Sequence, residues 1–469
     1  ICDSETVFAP EVEANFLAAV TQVRSGTIAA VSFTSSVIVD TNRTVPGVTT
    51  LRVGEQPTGI QISPFEPSFS YVSSFSPKSV QAIPTEAILT GVEFGVDEVR
   101  FDAGPTDIAL HEVAFARALT NDDGEVVGAE SAIVYRYLYV AIPELGQIAQ
   151  IPVIVGEDEK HERLGTPTFI DLGTYDCDTV TPVPPPPSDE TDYNRICPED
   201  FEDRPGRVIK TVKTTETCID GAAAGPAPIA LALDRGLEVG APGLSDDVLL
   251  VADANQPVIH RLSVGLEGAT LLEPIVTGAP TNDVDVTPLV PASSDPEDRS
   301  ATQRYLYAVS TVDSSLITMD YAESSATFGA VLPVLAGVSI RANEENIESR
   351  NRVRSAFSNV RAIEVITPSY DLEEDPSGAT APEVPEDDIC DPTDDNAFAL
   401  AQDEANLRGV FLAVSLSNGS MYFLDVYDLN APCRGGEGAI ACTLAETGPD
   451  QFASIRRHRR RFGLSLIHI

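Results

Sequence analysis

Apolar and polar positions along this chain recur in a fixed arrangement: an apolar run, a short polar turn, then a second run in which the two kinds alternate. Six segments share it, beginning at Leu17, Tyr71, Tyr139, Leu250, Tyr307 and Leu412. Take Val20, Val72, Val140, Val251, Ala308 and Ala413 as anchors. Eight positions later stand Ile28, Val80, Ile148, Ile259, Leu316 and Met421. Eleven positions after each anchor stand Val31, Ile83, Ile151, Leu262, Met319 and Leu424, so all twelve are apolar. Repetition at this scale predicts a stack of similar units, each built on a strand-turn-strand hairpin.

A further element precedes five of the six hairpins. Pro57-Thr-Gly-Ile-Gln-Ile, Pro105-Thr-Asp-Ile-Ala-Leu, Pro226-Ala-Pro-Ile-Ala-Leu, Thr281-Asn-Asp-Val-Asp-Val and Val360-Arg-Ala-Ile-Glu-Val each alternate with period two, as a half-buried strand does. A fourth, edge strand such as Gly47-Val-Thr-Thr-Leu-Arg-Val usually completes the unit. No apolar stripe of helical period runs beyond two turns, so helix is a minor component. One such sheet cannot bury both its faces, and radial stacking solves this. The fold expected is therefore all-β: a β-propeller of about six to seven four-stranded blades with long acidic loop insertions. A flat sandwich would not repeat the same two offsets. The readable repeats fall around 16–33, 57–84, 105–154, 226–264, 281–321 and 360–426, and residues 1–455 are expected to form one domain.

Pro57-Thr-Gly-Ile-Gln-Ile-Ser-Pro, followed by Tyr71-Val-Ser-Ser-Phe and Ser79-Val-Gln-Ala-Ile, resembles the YVTN-type, lactonase-like propeller repeat. The resemblance is strongest over Gly54 to Ile83 and continues in weaker copies to about Asp425. It implies the propeller fold and, for activity, a lactone hydrolase as the alternative to a non-catalytic scaffold. Trp is absent, so repeats built on Trp-Asp dipeptides or Asp-boxes are excluded, and the Trp-bearing repeats of quinone-cofactor dehydrogenases are disfavoured.

Two inserts interrupt the repeats. Residues 175–207 carry the run Thr181-Pro-Val-Pro-Pro-Pro-Pro, and residues 371–398 are densely acidic. Both read as exposed excursions on one rim, since polyproline and acidic tracts pack poorly. The tail, 456–469, puts five Arg into Arg456–Arg461 and is read as a candidate non-native segment, outside the fold. The chain begins at Ile1 without Met, which is read as a processed or missing N-terminus.

Charge narrows the partners. The chain has 469 residues, with 72 acidic against 30 basic residues and a formal net charge of -42. That field repels phosphate backbones and anionic lipids, so neither nucleic acid nor a membrane surface is an expected partner. No run of 18 or more apolar residues is present, so no transmembrane helix is expected. The seven cysteines include no Cys-x-x-Cys, and six of them lie in Pro-, Asp- or Gly-rich stretches. Loop cysteines of that kind read as disulfide staples, with Cys433–Cys442 and Cys177–Cys197 the nearest pairs, and place the protein in an oxidising, extracellular or cell-envelope compartment.

Candidate chemistry is sparse. The chain contains no Gly-x-Ser-x-Gly elbow, Walker loop or Gly-x-Gly-x-x-Gly. His111-Glu112 reads as the end of a strand rather than a metal pair. Asp391, Asp394, Asp395 and Asn396 gather hard oxygen ligands and form a candidate calcium site, although a solvated acidic loop is the favoured reading. Asn121-Asp122-Asp123-Gly124 reads as a hairpin turn. No catalytic or cofactor-binding residue is assigned. The function expected is a monomeric interaction scaffold whose rim loops engage a protein or glycan. Crowding of inward-facing His, Arg and carboxylate groups at the mouth of the central channel would instead favour an enzyme.

Overall fold

The computed structural model describes residues 17–32, 37–38, 50–63, 68–90, 96–120, 126–155, 162–175, 225–235, 247–291, 302–312, 314–323, 325–332, 360–367, 409–417 and 421–428. The chain divides into two compact units, Ile1–Ile170 and Asp171–Ile469. Both are built from antiparallel sheets, and among the described residues the fold is all-β apart from one short α-helix and a single 3-10 turn.

The first unit holds three sheets. Sheet 1 contains β1 (Leu17–Gln22), β2 (Thr27–Ser32), β3 (Val37–Ile38) and β4 (Leu51–Arg52), with β4 paired to β2. Sheet 2 is a four-stranded meander of β5 (Glu55–Ile62), β6 (Phe69–Ser76), β7 (Ser79–Pro84) and β8 (Asp97–Arg100), with helix α1 (Thr85–Thr90) between its last two strands. Sheet 3 runs through β9 (Asp107–Thr120), β10 (Val126–Ile142), β11 (Gln147–Val155) and β12 (Glu162–Leu164), and β13 (Thr168–Asp171) also pairs with β11.

The second unit repeats the plan. Sheet 4 contains β14 (Pro228–Asp234), β15 (Val248–Asp253), β16 (Val258–Gly265) and β17 (Gly268–Leu271), with β18 (Ile275–Val276) paired to β16. After β19 (Thr281–Val286), β20 (Val290–Pro291) and β21 (Thr302–Gln303) form a separate two-stranded ribbon, and sheet 5 joins β19 to β22 (Tyr305–Ser310), β23 (Leu316–Asp320) and β24 (Val331–Leu332). Sheet 6 has three strands among the described residues: β25 (Val360–Ile366), β26 (Gly409–Leu416) and β27 (Met421–Asp428).

All six expected hairpins form, and so do the five preceding strands, as β5, β9, β14, β19 and β25. Register explains the spacing. Val20 pairs with Ala29, Val72 with Gln81, Val140 with Ala149, Val251 with His260 and Ala308 with Ile317. The residue eleven after an anchor therefore shares its face, and the residue eight after it points to the other. Sheet 2 shows both. Val72 and Ile83 pack with Ile28 and Ala30 of sheet 1 and with Ala87 and Ile88 of α1. Tyr71, Val80 and Ala82 pack instead against Ile108, Val140 and Ile151 of sheet 3.

Sheet 5 is sandwiched in the same way in the second unit. Leu306, Ala308 and Met319 face Leu250 and Ile259 of sheet 4, whereas Tyr305, Tyr307 and Leu316 face Leu412 and Val414 of sheet 6. Burial on both faces is why β15 and β22 read as unbroken apolar runs. In sheet 1 the Val20 and Ile38 side chains are exposed.

The sixth anchor needs correcting. Ile363 pairs with Val414 as Ile60 pairs with Val72 and Ile108 with Val140, so the equivalent residue is Val414 and not Ala413. Val414 faces the core. Ala413 satisfies an apolar pattern on either face, and the sequence therefore misplaces the frame by one residue.

First strands lie side by side within each unit, β5 beside β9, and β19 between β14 and β25; β5 also lies against the hairpin strand β1. In β5, β19 and β25 a one-residue bulge falls at the same step, after Pro57, Thr281 and Val360. The sharper local twist fits strands that must turn from one sheet to the next.

His111 and Glu112 also need correcting. They lie inside the fourteen-residue strand β9, both buried, rather than at a strand end. Thr120 of β9 pairs with Val126 of β10, and Asn121–Gly124 lies outside the described residues. The two inserts leave the sheets differently: one precedes the first strand β14 and the other follows the first strand β25. Residues 176–207 and 371–398 of the inserts lie outside the described residues.

Candidate functional site

Charged groups inside an all-β core must be paired, because a lone buried charge costs several kcal/mol. In the first unit Arg136 of β10 stands directly across from Glu112 of β9. Both side chains are fully buried, and the guanidinium forms an ion pair with Glu112 Oε1. Ser63, at the end of β5 in the preceding sheet, donates its hydroxyl to Glu112 Oε2 at 2.8 Å and accepts from Arg136 Nη2 at 2.8 Å. Arg136 Nη1 also donates to the Tyr71 hydroxyl at 3.1 Å. Burial raises the pKa of that phenol, so it stays protonated.

Arg304, just before β22, repeats the arrangement in the second unit. It binds both carboxylate oxygens of Asp234 at the end of β14, with Nη1 to Oδ2 at 3.0 Å, and donates from Nε to the Thr287 carbonyl at 2.8 Å. Its guanidinium carbon lies 5.5 Å from the centroid of the Tyr321 ring, and that of Arg261 lies 5.7 Å from the same ring and 5.1 Å from Phe328. Arg261 Nη2 reaches the exposed carboxylate of Glu323 at 3.0 Å.

A third constellation is centred on Asp253 at the end of β15. Its Oδ2 lies 2.8 Å from His260 Nε2, with both residues buried. Its Oδ1 accepts backbone N–H bonds from Asn255 and Gln256, as a turn-initiating aspartate does, and another from Ala227.

In the fourth, two neighbouring carboxylates are part-buried. Asp283 and Asp285 alternate along β19 and project toward β25 of the next sheet. Asp283 Oδ2 accepts the Ile363 N–H at 2.8 Å and Asp285 Oδ2 accepts the Val365 N–H at 2.5 Å. Their other oxygens accept from Val284 and Val286 in the same strand. Burial lifts Asp283 to about 6 and Asp285 to about 7, and the charge of Glu364 on β25 adds to both. These values suit a group that takes and releases protons near neutrality. The pair forms the candidate site.

Sequence reading finds none of these residues as a site. The readable signal is Arg136-Tyr-Leu-Tyr and Arg304-Tyr-Leu-Tyr, a four-residue identity between sheets 3 and 5. A search confined to apolar positions discards its arginine. Asp391, Asp394, Asp395, Asn396, Cys177, Cys197, Cys433 and Cys442 all lie outside the described residues. Among the described residues, no three His, Cys, Asp or Glu side chains converge as metal ligands. Also among them, no helix is long and apolar enough to cross a membrane.

No protein-family model and no curated protein matches the chain. Among solved structures, a functionally unknown protein from Desulfotomaculum acetoxidans aligns at 11% identity and a TM-score of 0.33, over 67% of this chain and 63% of that one. The Dos1 propeller aligns at 11% identity and a TM-score of 0.33, over 88% and 77%. BBS1N, solved in complex with ARL6DN, aligns at 9% identity and a TM-score of 0.32, over 78% of each chain.

Proposed function

We propose that the six sheets are blades of one lactonase-like β-propeller, with a seventh blade or the ring closure supplied from the chain ends. The protein acts as a monomeric interaction scaffold outside the cell or in its envelope, and its rim loops engage a protein or glycan without catalysis. One observation carries the reading. Arg304 pairs its buried charge with Asp234 of the preceding sheet, and Arg136, paired with Glu112 in its own sheet, donates to Ser63 of the preceding one, so buried polar interactions hold sheet to sheet. Calcium in the acidic insert at Asp391, Asp394, Asp395 and Asn396 is the one cofactor the composition suggests.

The alternative, a lactone hydrolase, draws on Asp283 and Asp285, whose raised proton affinity on a first strand fits general acid–base work. One paired experiment separates the two. Purified protein is applied to a glycan array and, in parallel, to a panel of γ- and δ-lactones. Saturable glycan binding with no ring opening supports the scaffold. Turnover that disappears in Asp285→Asn establishes the hydrolase and removes the first reading.

A further inference from the structure

Between sheets 4 and 5 one buried charge is poorly matched. Arg261 of β16 is only 9% exposed, and it shares the face of its strand with Ile259, which packs against sheet 5. Its guanidinium carbon lies 5.7 Å from the centroid of the Tyr321 ring and 5.1 Å from that of Phe328, and the two rings stand 5.5 Å apart. Arg304, 5.5 Å from the same Tyr321 ring, is neutralised by both carboxylate oxygens of Asp234. Arg261 has no such match. Among the described residues its one anionic partner is Glu323, whose side chain is 74% exposed, and its Nε has no hydrogen-bond partner.

A guanidinium presents Nε and Nη2 side by side along one edge, at the spacing of the two oxygens of a carboxylate. Glu323 takes half of that fork: its Oε1 accepts from Nη2 at 3.0 Å, and the Nε–H is left unused. Water competes for so exposed a carboxylate, so the pair is weak, whereas a buried guanidinium without a counter-charge is costly. The surroundings are stiff. Asp320 Oδ2 accepts from the Ser325 and Thr327 hydroxyls, each at 2.6 Å, and Oδ1 accepts the Ala322 N–H at 3.1 Å, which fixes the turn that carries Glu323. Only the Glu323 side chain has to move for the fork to be filled. The Tyr321 hydroxyl is a second unused donor in the cluster: burial raises its pKa, so it stays protonated, and its proton has no acceptor among the described residues.

We propose that Arg261 is the receptor of a carboxylate-binding site between sheets 4 and 5, that Glu323 occupies it as an internal stand-in, and that a small monocarboxylic acid displaces Glu323 by taking Nε and Nη2 together. A single negative charge suits the place, because Arg261 offers one unmatched positive charge and a chain of net charge -42 repels a polyanion. The rings of Tyr321 and the part-buried Phe328 favour an acid with an apolar or aromatic body. The site does not depend on what the rim loops engage or on the role of Asp283 and Asp285.

The test titrates benzoate into the full-length protein by calorimetry. One saturable site with a Kd on the order of 1 mM is expected. Glu323→Gln, a change at an exposed side chain, removes the competing carboxylate and should tighten binding about threefold or more. Glu144→Gln, which unpairs the exposed Lys78 in the same way, should leave binding unchanged. Arg261→Lys keeps the charge without the fork and should weaken binding about tenfold or more. Where that variant does not fold, the comparison of Glu323→Gln with Glu144→Gln still decides. Binding to Glu323→Gln that is absent or no tighter than to the parent, equal tightening by both Gln variants, or unchanged binding to folded Arg261→Lys overturns the site. Inorganic phosphate binding as tightly as benzoate overturns its assignment to a carboxylate.

Discussion

Arg136 and Arg304 are equivalent residues of two different sheets. Each opens Arg-Tyr-Leu-Tyr and stands four residues before its anchor, Val140 or Ala308. Each also reaches back to the first strand of the preceding sheet, where Ser63 or Asp234 receives it. The two receivers are equivalent as well: Ile60 pairs with Val72 and Leu231 with Val251, and Ser63 and Asp234 follow those residues by three. The carboxylate that balances the charge has moved, from the same sheet (Glu112) to the preceding one (Asp234).

Removing one half of such a pair strands the other. Arg136→Ala leaves Glu112 buried without a counter-charge and should cost about 3–5 kcal/mol, read as a lower urea midpoint. Arg136→Met combined with Glu112→Gln removes both charges and should recover most of the loss. A single substitution within about 0.5 kcal/mol of the parent would show that the pair does not hold the sheets together.

Asp283 and Asp285 make stability depend on pH with a definite sign. Their folded values, about 6 and about 7, stand above the ordinary 3.8, so the native state binds more protons than the unfolded one between these limits. Their contribution is therefore least costly near pH 4 and becomes unfavourable as pH rises to about 7, by up to about 7 kcal/mol for the two together. Asp285→Asn cannot ionise and should flatten part of that slope in urea titrations at pH 5 and pH 8. An unchanged slope would remove Asp285 as its source.

Cys433 and Cys442 flank the glycine-rich sequence Arg434-Gly-Gly-Glu-Gly and are expected to be disulfide-bonded. Closing so short a loop contributes about 2–3 kcal/mol. Thiol labelling under denaturing, non-reducing conditions should leave both unlabelled. Label at both positions would refute the bond.

A chain of net charge -42 with only four lysines has few cations with which to neutralise its surface. Screening shortens from about 8 Å at physiological ionic strength to about 3 Å at 1 M, so added salt should relieve self-repulsion. The melting temperature should rise between low salt and 1 M sodium chloride. A flat or falling value would mean that bound cations already neutralise the carboxylates, and would point to the acidic insert at Asp391–Asn396.

The hairpins and first strands were legible because both faces of a stacked sheet are buried, which leaves little freedom in the apolar pattern. The outer strands were not. β8, β17 and β24 are two to four residues long, and β8 and β17 bury little, so they have no pattern to read. Asp283 and Asp285 were hidden for a different reason. Alternating with Val284 and Val286, they look like the wet face of a strand, and only the approach of β25 turns that face into a contact. The Arg304–Asp234 clamp joins residues 70 positions apart and has no local signature.

The two aspartates also bear on how this protein avoids its own kind. An open strand edge invites another chain to add itself there, the first step toward aggregates. On β25 the amides of Ile363 and Val365, which would recruit such a strand, are already occupied by carboxylate oxygens. A passing strand meets negative charge at those positions instead of free donors. The same pair that makes the seam sensitive to pH therefore guards it against polymerisation, and Asp283→Ala with Asp285→Ala would open an edge along which copies of the chain could join.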